Sequence, residues 1–564
     1  MDPRPQTAAG DVRSVAGAEQ KEFTAEGETA LDYRTLPGSA DEMLDTDGRV
    51  RPVWRHFVGR LAEMDEAERE ARFDRADRYL RDAGVFYRVY GGAQNAERAW
   101  PLSHVPVLID EDEWATLSAG LVQRAELLER IIADIYSENR LVQEGFLPPA
   151  LIAANPEFLR PMVGVQPAGG HFLQFIAFEI GRGPDGNWWV LADRTQAPSG
   201  AGFALENRVA TTRAFSDIYA ETNVHRLASF FGNFRDALQT HKKHPDDRIA
   251  VLTPGPANET YFEHAYIARY LGFMLLEGED LAVVNNQVMV RTVAGLKPVS
   301  VLWRRLDSNY ADPLELNQSS QIGTPGLVQA LRAESVTIVN ALGSGILETR
   351  ALLAFLPAIC RKLLCEELKL PSIATWWCGQ RKERAHVTRN LDRMVIGPAY
   401  SPAPFFDDGG ASVPGTVYRE RHPDFAARME ESAGRLVAQE VVTLSTTPAF
   451  VDGRLVPRPM SLRVFAARTR DGWQIMPGGF ARIGASDDVS AIAMQKGGSV
   501  ADVWIVSKTP VSWSSLLPSE EKFTRNMPGS LPSRAADNLF WLGRYIERAE
   551  GALRILRAWH GRYA

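Results

Sequence analysis

Residues 175–208, FIAFEIGRGPDGNWWVLADRTQAPSGAGFALENR, hold the most informative pattern in the chain. Alternating apolar residues, a Pro-Asp-Gly turn and a second apolar run predict a β-hairpin. Glu179 lies near the end of the first strand and Asp193 near the end of the second. Antiparallel pairing can bring both to one end of a sheet, where two carboxylates can hold Mg2+ against nucleotide phosphates. The pattern predicts a metal site at Glu179 and Asp193; the alternative is an exposed hairpin with solvated acids.

The hairpin is followed by a short glycine-bearing loop, Ala-Pro-Ser-Gly-Ala-Gly, at residues 197–202. Small residues and glycine allow backbone N–H groups to approach an anion closely. Ser199 and Gly200 are therefore candidate ligands for a nucleotide phosphate.

Length and composition are those of a globular protein with several domains. The chain has 564 residues, of which 45% are hydrophobic and 24% are charged, and a single core rarely extends over so long a chain. A net charge of −7 argues against nucleic acid as the main partner, because phosphate binding needs a basic surface. Three cysteines without a CxxC pair exclude a disulfide scaffold and a thiolate zinc site. The sequence shows neither a membrane-spanning run nor a secretory signal, so we expect a cytoplasmic protein without a membrane partner.

The order of patterns along the chain predicts five regions. Residues 1–48 are polar and are expected to form a disordered tail, and residues 49–245 a helical region followed by the hairpin half of the fold. Residues 246–378 have the pattern of an α/β layer, and residues 379–525 that of mainly antiparallel strands. Residues 526–564 contain an amphipathic helix. The expected fold class therefore combines α/β and α+β structure.

Three cations in the antiparallel half are candidates for binding a phosphate or an acylphosphate. They are Arg463 on one strand, Arg482 near the end of the next strand, and Lys496 before a pair of glycines. Charge-assisted hydrogen bonds from such groups are strong in a confined site. The alternative is ordinary surface charge.

Five stretches give the chain a specific resemblance to a known family: DRTQAPSGAGFALENR, VLTPGPANETYFEHAYIARYLGF, LGSGILETRALLAFLPAICRKLLCEELKLPSIATWWCGQ, VAQEVVTLSTTP and MPGGFARI. The chain resembles the circularly permuted ATP-grasp family, type 2, which is related to the synthetase half of glutathionylspermidine synthase. Ordinary ATP-grasp enzymes have the adenine hinge first and the metal carboxylates last. Here the carboxylate hairpin lies near residue 180 and the hinge-like VAQEVV near residue 440. The resemblance implies a circularly permuted ATP-grasp fold with a pre-ATP-grasp-like α/β layer and a helical N-terminal region.

The resemblance also implies roles for individual residues. Glu179 matches the first metal carboxylate of the fold. The matching nucleotide-binding positions are the hinge residues Gln439, Glu440, Val441 and Val442, the strand residue Arg463, and the basic-Gly-Gly turn Lys496, Gly497 and Gly498. The implied cofactors are ATP and Mg2+. The implied reaction activates a carboxylate as an acylphosphate, which an amine attacks with release of ADP and phosphate.

The sequence departs from the family pattern at three places. The final metal motif is Glu-x-Asn in the family, but Ala192 and Arg194 occupy those positions here. Gly397 stands where a strand presents a phosphate-binding lysine, and Ala501 replaces the lysine of a Lys-Asp-x-Trp element. Because one metal ligand and two lysines are missing, Arg194 and Lys496 are the candidate replacement cations.

The C-terminal residues 531–564, LPSRAADNLFWLGRYIERAEGALRILRAWHGRYA, carry a second resemblance. They are similar to the opening of the alpha-E domain, which accompanies permuted ATP-grasp proteins as a fused domain or as a neighbour. This short stretch is too small for an independent helical domain. Either the chain is the front part of a longer protein, or the helix docks on the body; an alpha-E domain is the expected partner.

Two functions from different classes remain open. The first is an ADP-forming carboxylate–amine ligase that acts on small-molecule or peptide substrates. The second is a catalytically impaired ATP-grasp-like scaffold that works with an alpha-E partner. A third interpretation, a thiol enzyme that uses Cys378 in TWWCGQ, competes with a buried structural cysteine.

Overall fold

The computed structural model describes residues 33–89, 96–403, 411–490, 498–512 and 531–563. Its α-helices are α1 (Pro52–Glu63), α2 (Glu66–Asp82), α3 (Glu111–Ile135), α4 (Arg140–Gln143), α5 (Pro149–Ala153), α6 (Ala201–Ala214), α7 (Ser216–Glu221), α8 (Ala228–Thr240), α9 (Tyr261–Leu271), α10 (Leu327–Arg332), α11 (Leu356–Leu364), α12 (Arg381–Arg389), α13 (Gly415–Arg421), α14 (Phe425–Glu431) and α15 (Ser533–Tyr563). Its strands are β1 (Phe86–Val89), β2 (Ala96–Ala99), β3 (Val107–Asp110), β4 (Phe175–Arg182), β5 (Trp188–Arg194), β6 (Arg248–Leu252), β7 (Met274–Leu276), β8 (Leu281–Val284), β9 (Gln287–Thr292), β10 (Gly295–Arg304), β11 (Thr337–Val339), β12 (Thr375–Trp377), β13 (Met394–Pro398), β14 (Val413–Pro414), β15 (Leu436–Glu440), β16 (Thr446–Val451), β17 (Arg454–Thr469), β18 (Gly472–Ile475), β19 (Phe480–Gly484) and β20 (Gly498–Val506).

An eight-stranded sheet joins the two halves of the chain. Its main order is β3-β20-β19-β17-β4-β5, and β16 and β18 also pair with β17. The predicted hairpin forms β4 and β5, and β4 pairs antiparallel with β17 from Leu462 opposite Ile180 to Ala467 opposite Phe175. The partner strand of the hairpin thus comes from the C-terminal half, as the permuted order of motifs requires.

Helices cover both faces of this sheet because β4 is apolar on both. Ile176 and Phe178 pack with residues of α3, whereas Phe175 and Ala177 pack with residues of α6 and α8. The carboxylate of Asp110 caps α3 by accepting a 2.9 Å hydrogen bond from the backbone N–H of Asp112. The sheet is therefore buried on two sides, and polar side chains within it must find partners in the protein.

A smaller, four-stranded sheet has the order β12-β15-β13-β14. It contains the hinge strand β15, in which Gln439 lies opposite Thr375 of β12 and Val395 of β13. Strand β12 precedes the domain boundary predicted at residue 378, so this sheet draws on residues from both sides of it.

The expected α/β layer consists of parallel strands β7, β6, β10 and β11, continued by the antiparallel hairpin β8–β9. Helix α9 crosses from β6 to β7 and ends at Gly272, whose φ of +74° suits glycine. The mixed α/β and α+β architecture predicted from the sequence is thus confirmed.

The N-terminal segment differs from the prediction of a disordered tail through residue 48. Met43 and Leu44 are buried, and Asp41 forms a β-bridge with Thr446. Glu42 accepts two 2.9 Å hydrogen bonds from Arg182 at the end of β4. The described part of the segment is therefore anchored to the large sheet by a buried ion pair that the polar composition concealed.

Candidate functional site

Glu179 and Arg463 lie opposite each other on adjacent strands of the large sheet. Nε of Arg463 donates to Oε1 of Glu179 at 2.6 Å, and the Glu179 side chain is fully buried. Among the described residues, Oε2 of Glu179 has no hydrogen-bond partner. The two predicted site residues from opposite ends of the permuted sequence therefore meet in one buried ion pair.

Asp193 does not join Glu179. It lies opposite Phe178, whereas Glu179 lies opposite Ala192, and residues in direct register share a face of the sheet. Asp193 therefore points to the other face, where Nε and Nη2 of Arg124 donate to its two oxygens at 2.7 and 2.8 Å. The prediction that Glu179 and Asp193 hold one metal ion is wrong for this arrangement, and the described residues contain no group of three or more His, Cys, Asp or Glu suited to a metal ion.

The glycine loop after the hairpin binds a carboxylate of the protein itself, that of Glu263. The backbone N–H groups of Gly200 and Gly202 donate to Oε1 of Glu263 at 2.7 and 3.1 Å. The loop is further held by Arg305, which donates to the carbonyl of Pro198 at 2.6 Å. The predicted phosphate cradle at Ser199 and Gly200 is therefore occupied by the carboxylate of Glu263, and the carbonyl of Ser199 accepts a 3.1 Å hydrogen bond from Arg463.

Arg482 shares the sheet face of Arg463. Strand β19 sets Phe480 opposite Arg463 and Arg482 opposite Ser461, so the two arginines lie on one side of neighbouring strands. Lys496 and Gly497 lie outside the described residues. Gly498 begins β20 opposite Gly484, and a Cβ there would lie 1.9 Å from the carbonyl oxygen of Ile483.

The hinge residues have divided roles. Gln439 is buried and donates to the hydroxyl of Thr375 at 3.1 Å, so its side chain ties β15 to β12. Glu440 pairs with Arg393 at 2.8 Å. Val441 is exposed and Val442 is half-buried, so these two offer the apolar surface of the hinge.

Arg194 ends β5 opposite Ala177 and therefore lies on the face of Glu179. Its Nη1 donates to the carbonyl of Pro402 at 3.0 Å and lies 3.5 Å from Oε2 of Glu348. Glu348 also accepts hydrogen bonds from the backbone N–H groups of Thr195 and Gln196 at 2.6 and 2.5 Å. Burial raises the pKa of Glu348, and Arg194 opposes that shift.

Sequence reasoning missed Glu348 because its partners are distant in the chain. It lies in the stretch ILETR, which carried the family resemblance without indicating a role for the carboxylate. The available signal was a carboxylate three residues after Gly345 of the glycine turn.

Two other sequence features have structural explanations. Burial raises the pKa of the Cys378 thiol to about 12, so the thiol is protonated near neutral pH and the interpretation as a thiol enzyme is not supported. Asp502, in the element that lacks its lysine, accepts 2.7 Å hydrogen bonds from Nε of Arg208 and Nε1 of Trp504. This buried network joins β20 to α6.

The fold and this site define the class of protein, which is a permuted ATP-grasp architecture. In it the carboxylate hairpin β4–β5 meets the strand β17, which carries Arg463, and the small sheet, which contains the hinge strand β15. Residues 106–484 match the family described as circularly permuted ATP-grasp type 2. The chain therefore belongs to that family. Residues 531–564 match alpha-E, an alpha-helical domain with a conserved ER motif.

The relatives are described as uncharacterized proteins. One from Mycobacterium tuberculosis is 34% identical over 95% of this chain, which spans 61% of that relative's length. One from Mycobacterium leprae is 32% identical over 83% of this chain and 82% of its own. A glutathione synthetase-like effector from Globodera pallida aligns over 79% of this chain and 98% of its own, with 12% identity and a TM-score of 0.49, too slight a likeness to bear on function. Among the helices that the structure describes, none combines the length and the apolar character needed to cross a bilayer.

Proposed function

We propose that the chain is an ATP-dependent, ADP-forming carboxylate–amine ligase that acts through an acylphosphate. The observation that carries the proposal is the shared sheet face of Glu179, Arg194, Arg463 and Arg482. Residues from both halves of the chain border this face, as a nucleotide held between the halves would require. The contact of Arg194 with Pro402 connects the face with the loop that follows β13 of the small sheet.

The arginines suit phosphoryl transfer. Negative charge is spread over the oxygens of the transferring phosphoryl group, and fixed cations stabilise that charge without reorganising. In the proposed reaction a carboxylate oxygen bonds to the γ-phosphorus as the bond to ADP breaks. The amine then bonds to the acyl carbon, loses a proton and displaces phosphate.

In this proposal the hinge binds adenine at the end of the site opposite the arginines. Val441 and Val442 supply apolar surface after β15, while Gln439 holds that strand in place through Thr375. We expect the base to lie against these two valines, with its phosphates directed toward the arginines.

The predicted pair of metal carboxylates does not fit Mg2+ here. Asp193 is on the far face and is engaged by Arg124, so of the predicted pair Glu179 alone, through Oε2, could serve as a metal ligand on this face. In the proposed reaction Mg2+ therefore takes part only as the ion that accompanies ATP.

The test is calorimetry with ATP and Mg2+, followed by measurement of ADP release with pools of carboxylic acids, amino acids and polyamines. We expect Mg-dependent nucleotide binding, and ADP release that requires both a carboxylate and an amine. Arg332→Ala, on a half-exposed cation remote from β5, β17 and β19, is the matched control and should behave as the unmodified chain. Absence of Mg-dependent nucleotide binding would overturn the proposal.

A catalytically impaired ATP-grasp-like scaffold is the second candidate function, and two observations favour it. The Glu179 charge is already matched by Arg463, and α15 exposes apolar side chains that suit an alpha-E partner. Nucleotide binding without ADP release, both alone and with an alpha-E domain present, would favour this alternative.

A further inference from the structure

Gly397, which stands where the family pattern has a phosphate-binding lysine, faces another cation. A Cβ built on Gly397 would lie 2.7 Å from Nη1 of Arg350 and 2.0 Å from Oγ of Ser412. The space into which a side chain from β13 would grow is therefore filled by a guanidinium group and a hydroxyl from elsewhere in the chain.

Arg350 is held rigidly in this position. It begins the short 3-10 helix Arg350–Ala354, which packs against β12 of the small sheet, and its side chain is buried. Nε donates to the carbonyl of Ala403 at 2.6 Å, and Nη1 donates to Oγ of Ser412 at 2.5 Å. A planar guanidinium fixed in this way is suited to binding phosphate oxygens with little loss of conformational entropy.

Arg194 reaches the same segment from the large sheet. It donates to the carbonyl of Pro402, the residue directly before Ala403, so the two guanidinium groups hold consecutive carbonyl oxygens. The carboxylate of Glu348 balances part of the charge of Arg194 at 3.5 Å. Two fixed cations thus hold one short segment after β13, each by a neighbouring carbonyl, and a polyphosphate could span two such cations.

We propose that Arg350, together with Arg194, binds the terminal phosphates of the nucleotide in place of the lysine that β13 lacks. This assignment rests on the proposed function, because it presumes that the site takes ATP. Arg350 is a binding residue under this proposal, and its guanidinium would stabilise charge on the β- and γ-phosphate oxygens.

The primary test compares ATP, ADP and adenosine by calorimetry on the full chain. Arg350→Gln keeps an amide donor for Ser412 or Ala403 but removes the charge. We expect ATP and ADP to bind about 10- to 100-fold more weakly, because a charge-assisted bond is lost, and adenosine to bind unchanged. Arg332→Gln is the control, since that arginine also donates to a backbone carbonyl, that of Pro161 at 3.1 Å.

A rescue variant tests whether position 397 and Arg350 supply the same charge. Gly397→Lys combined with Arg350→Ala and Ser412→Gly removes both groups that would collide with the new side chain. We expect this variant to regain at least half of the lost ATP affinity, in logarithmic units, relative to Arg350→Ala with Ser412→Gly.

The outcomes separate this assignment from the proposed function. If the unmodified chain binds no Mg-ATP, the proposed function fails and this assignment fails with it. If the unmodified chain binds Mg-ATP and Arg350→Gln binds it equally well, only the role of Arg350 is overturned. Equal weakening of adenosine and ATP would also overturn it, because it would show a collapse of the site and not a lost phosphate contact.

Discussion

At the scale of single residues, the ion pair between Arg463 and Glu179 is one of the buried contacts that connect the two halves of the fold. Burying a carboxylate is costly unless a cation and hydrogen bonds compensate it. Arg463 supplies that compensation from β17, and its guanidinium also lies 5.5 Å from the ring centroid of Phe480. The pair therefore stabilises the registration of β4 with β17 as well as bordering the proposed site.

We expect Arg463→Ala to lower the free energy of unfolding by about 3–5 kcal/mol, because it leaves the buried Glu179 charge without a cation. Arg482→Ala should cost less, because Arg482 lies opposite the neutral Ser461, whereas Arg463 compensates the fully buried Glu179 carboxylate. Urea unfolding of both variants measures the difference. Adding Glu179→Leu to Arg463→Ala removes the stranded charge and should restore part of the loss. Equal losses for Arg463→Ala and Arg482→Ala would show that the ion pair does not stabilise this pairing.

A pH dependence follows from His264, which is buried on α9 between the hydroxyls of Thr253 and Thr260 at 2.9 and 3.1 Å. Burial lowers the pKa of His264 well below its usual 6.5, and the charge of Arg305 lowers it further. Just below pH 6.5, His264 therefore binds a proton in the unfolded chain but stays neutral in the folded chain. The stability contributed by neutral His264 is therefore fully present above pH 6.5. Below that pH the free energy of unfolding falls by about 1.4 kcal/mol per pH unit.

Thermal unfolding between pH 5 and 8 tests this expectation. We expect His264→Gln to flatten the loss of stability on the acidic side, although it lowers stability at neutral pH. His560→Gln, on the exposed helix α15, is the control and should leave the slope unchanged. An unchanged slope in His264→Gln would contradict the assignment.

At the scale of elements, a bulge in β5 decides what the hairpin can do. Ile180 lies opposite Val190, but Glu179 lies opposite Ala192, so Leu191 is the extra residue. Continued without the bulge, the register from the turn would set Asp193 opposite Ala177, on the face of Glu179. One inserted residue reverses the side-chain alternation and turns Asp193 toward Arg124.

This explains which parts of the site the sequence could predict. The hairpin, its Pro-Asp-Gly turn and the glycine loop follow from local patterns and were predicted. The face of Asp193 depends on a bulge that leaves no local signal. The partners Arg124, Glu263 and Arg350 come from distant helices and turns, so no spacing in the sequence could connect them with the loop or with Gly397.

The bulge sets residue 192 at a position where a second carboxylate could face Glu179. Ala192 lies directly opposite Glu179, so Ala192→Glu would put a second carboxylate on the same face, and Arg194→Asn would remove a competing cation. We expect the double variant to bind Mg2+ more tightly than the unmodified chain, because each added oxygen suits a hard cation. Calorimetry with Mg2+ measures the gain.

Asp193→Asn is the control for that variant. It lies on the opposite face and should lower stability by breaking the pair with Arg124, without changing metal affinity. If the double variant gains no Mg2+ affinity, this face of the hairpin does not form a metal site.

At the scale of the whole molecule, the order of motifs allowed the permuted fold to be predicted. The carboxylate hairpin lies near residue 180 and the hinge near residue 440, yet the hairpin strand β4 is a neighbour of β17 in the sheet. The hairpin β8–β9 turns through Asn285 and Asn286, both with positive φ. The domain boundaries stay predictions, since the large sheet takes strands from both ends of the body and the small sheet crosses the boundary at residue 378.

Helix α15 makes little packing contact with the rest of the described molecule. Arg534 anchors its start by donating to both oxygens of Asp280 at 3.0 and 2.9 Å. Beyond that point α15 has no buried residue. An exposed apolar stripe at helical spacing consists of Leu542, Ile546, Leu553 and Leu556. Because residues 531–564 match alpha-E, we expect an alpha-E domain to cover this stripe.

We expect the chain to bind an alpha-E domain supplied separately, and Leu553→Ser with Leu556→Ser to abolish that binding. The reason is that these side chains are 65% and 51% exposed here and gain apolar contact only when another helix covers them. Hydrogen exchange of residues 533–563 with and without the alpha-E domain measures the protection. Arg554→Ser, which removes a polar side chain off the stripe, is the matched control and should keep both binding and protection. Protection of α15 that survives the double serine variant would show that the partner covers a different face, and the stripe would then need another occupant, such as a second copy of this chain.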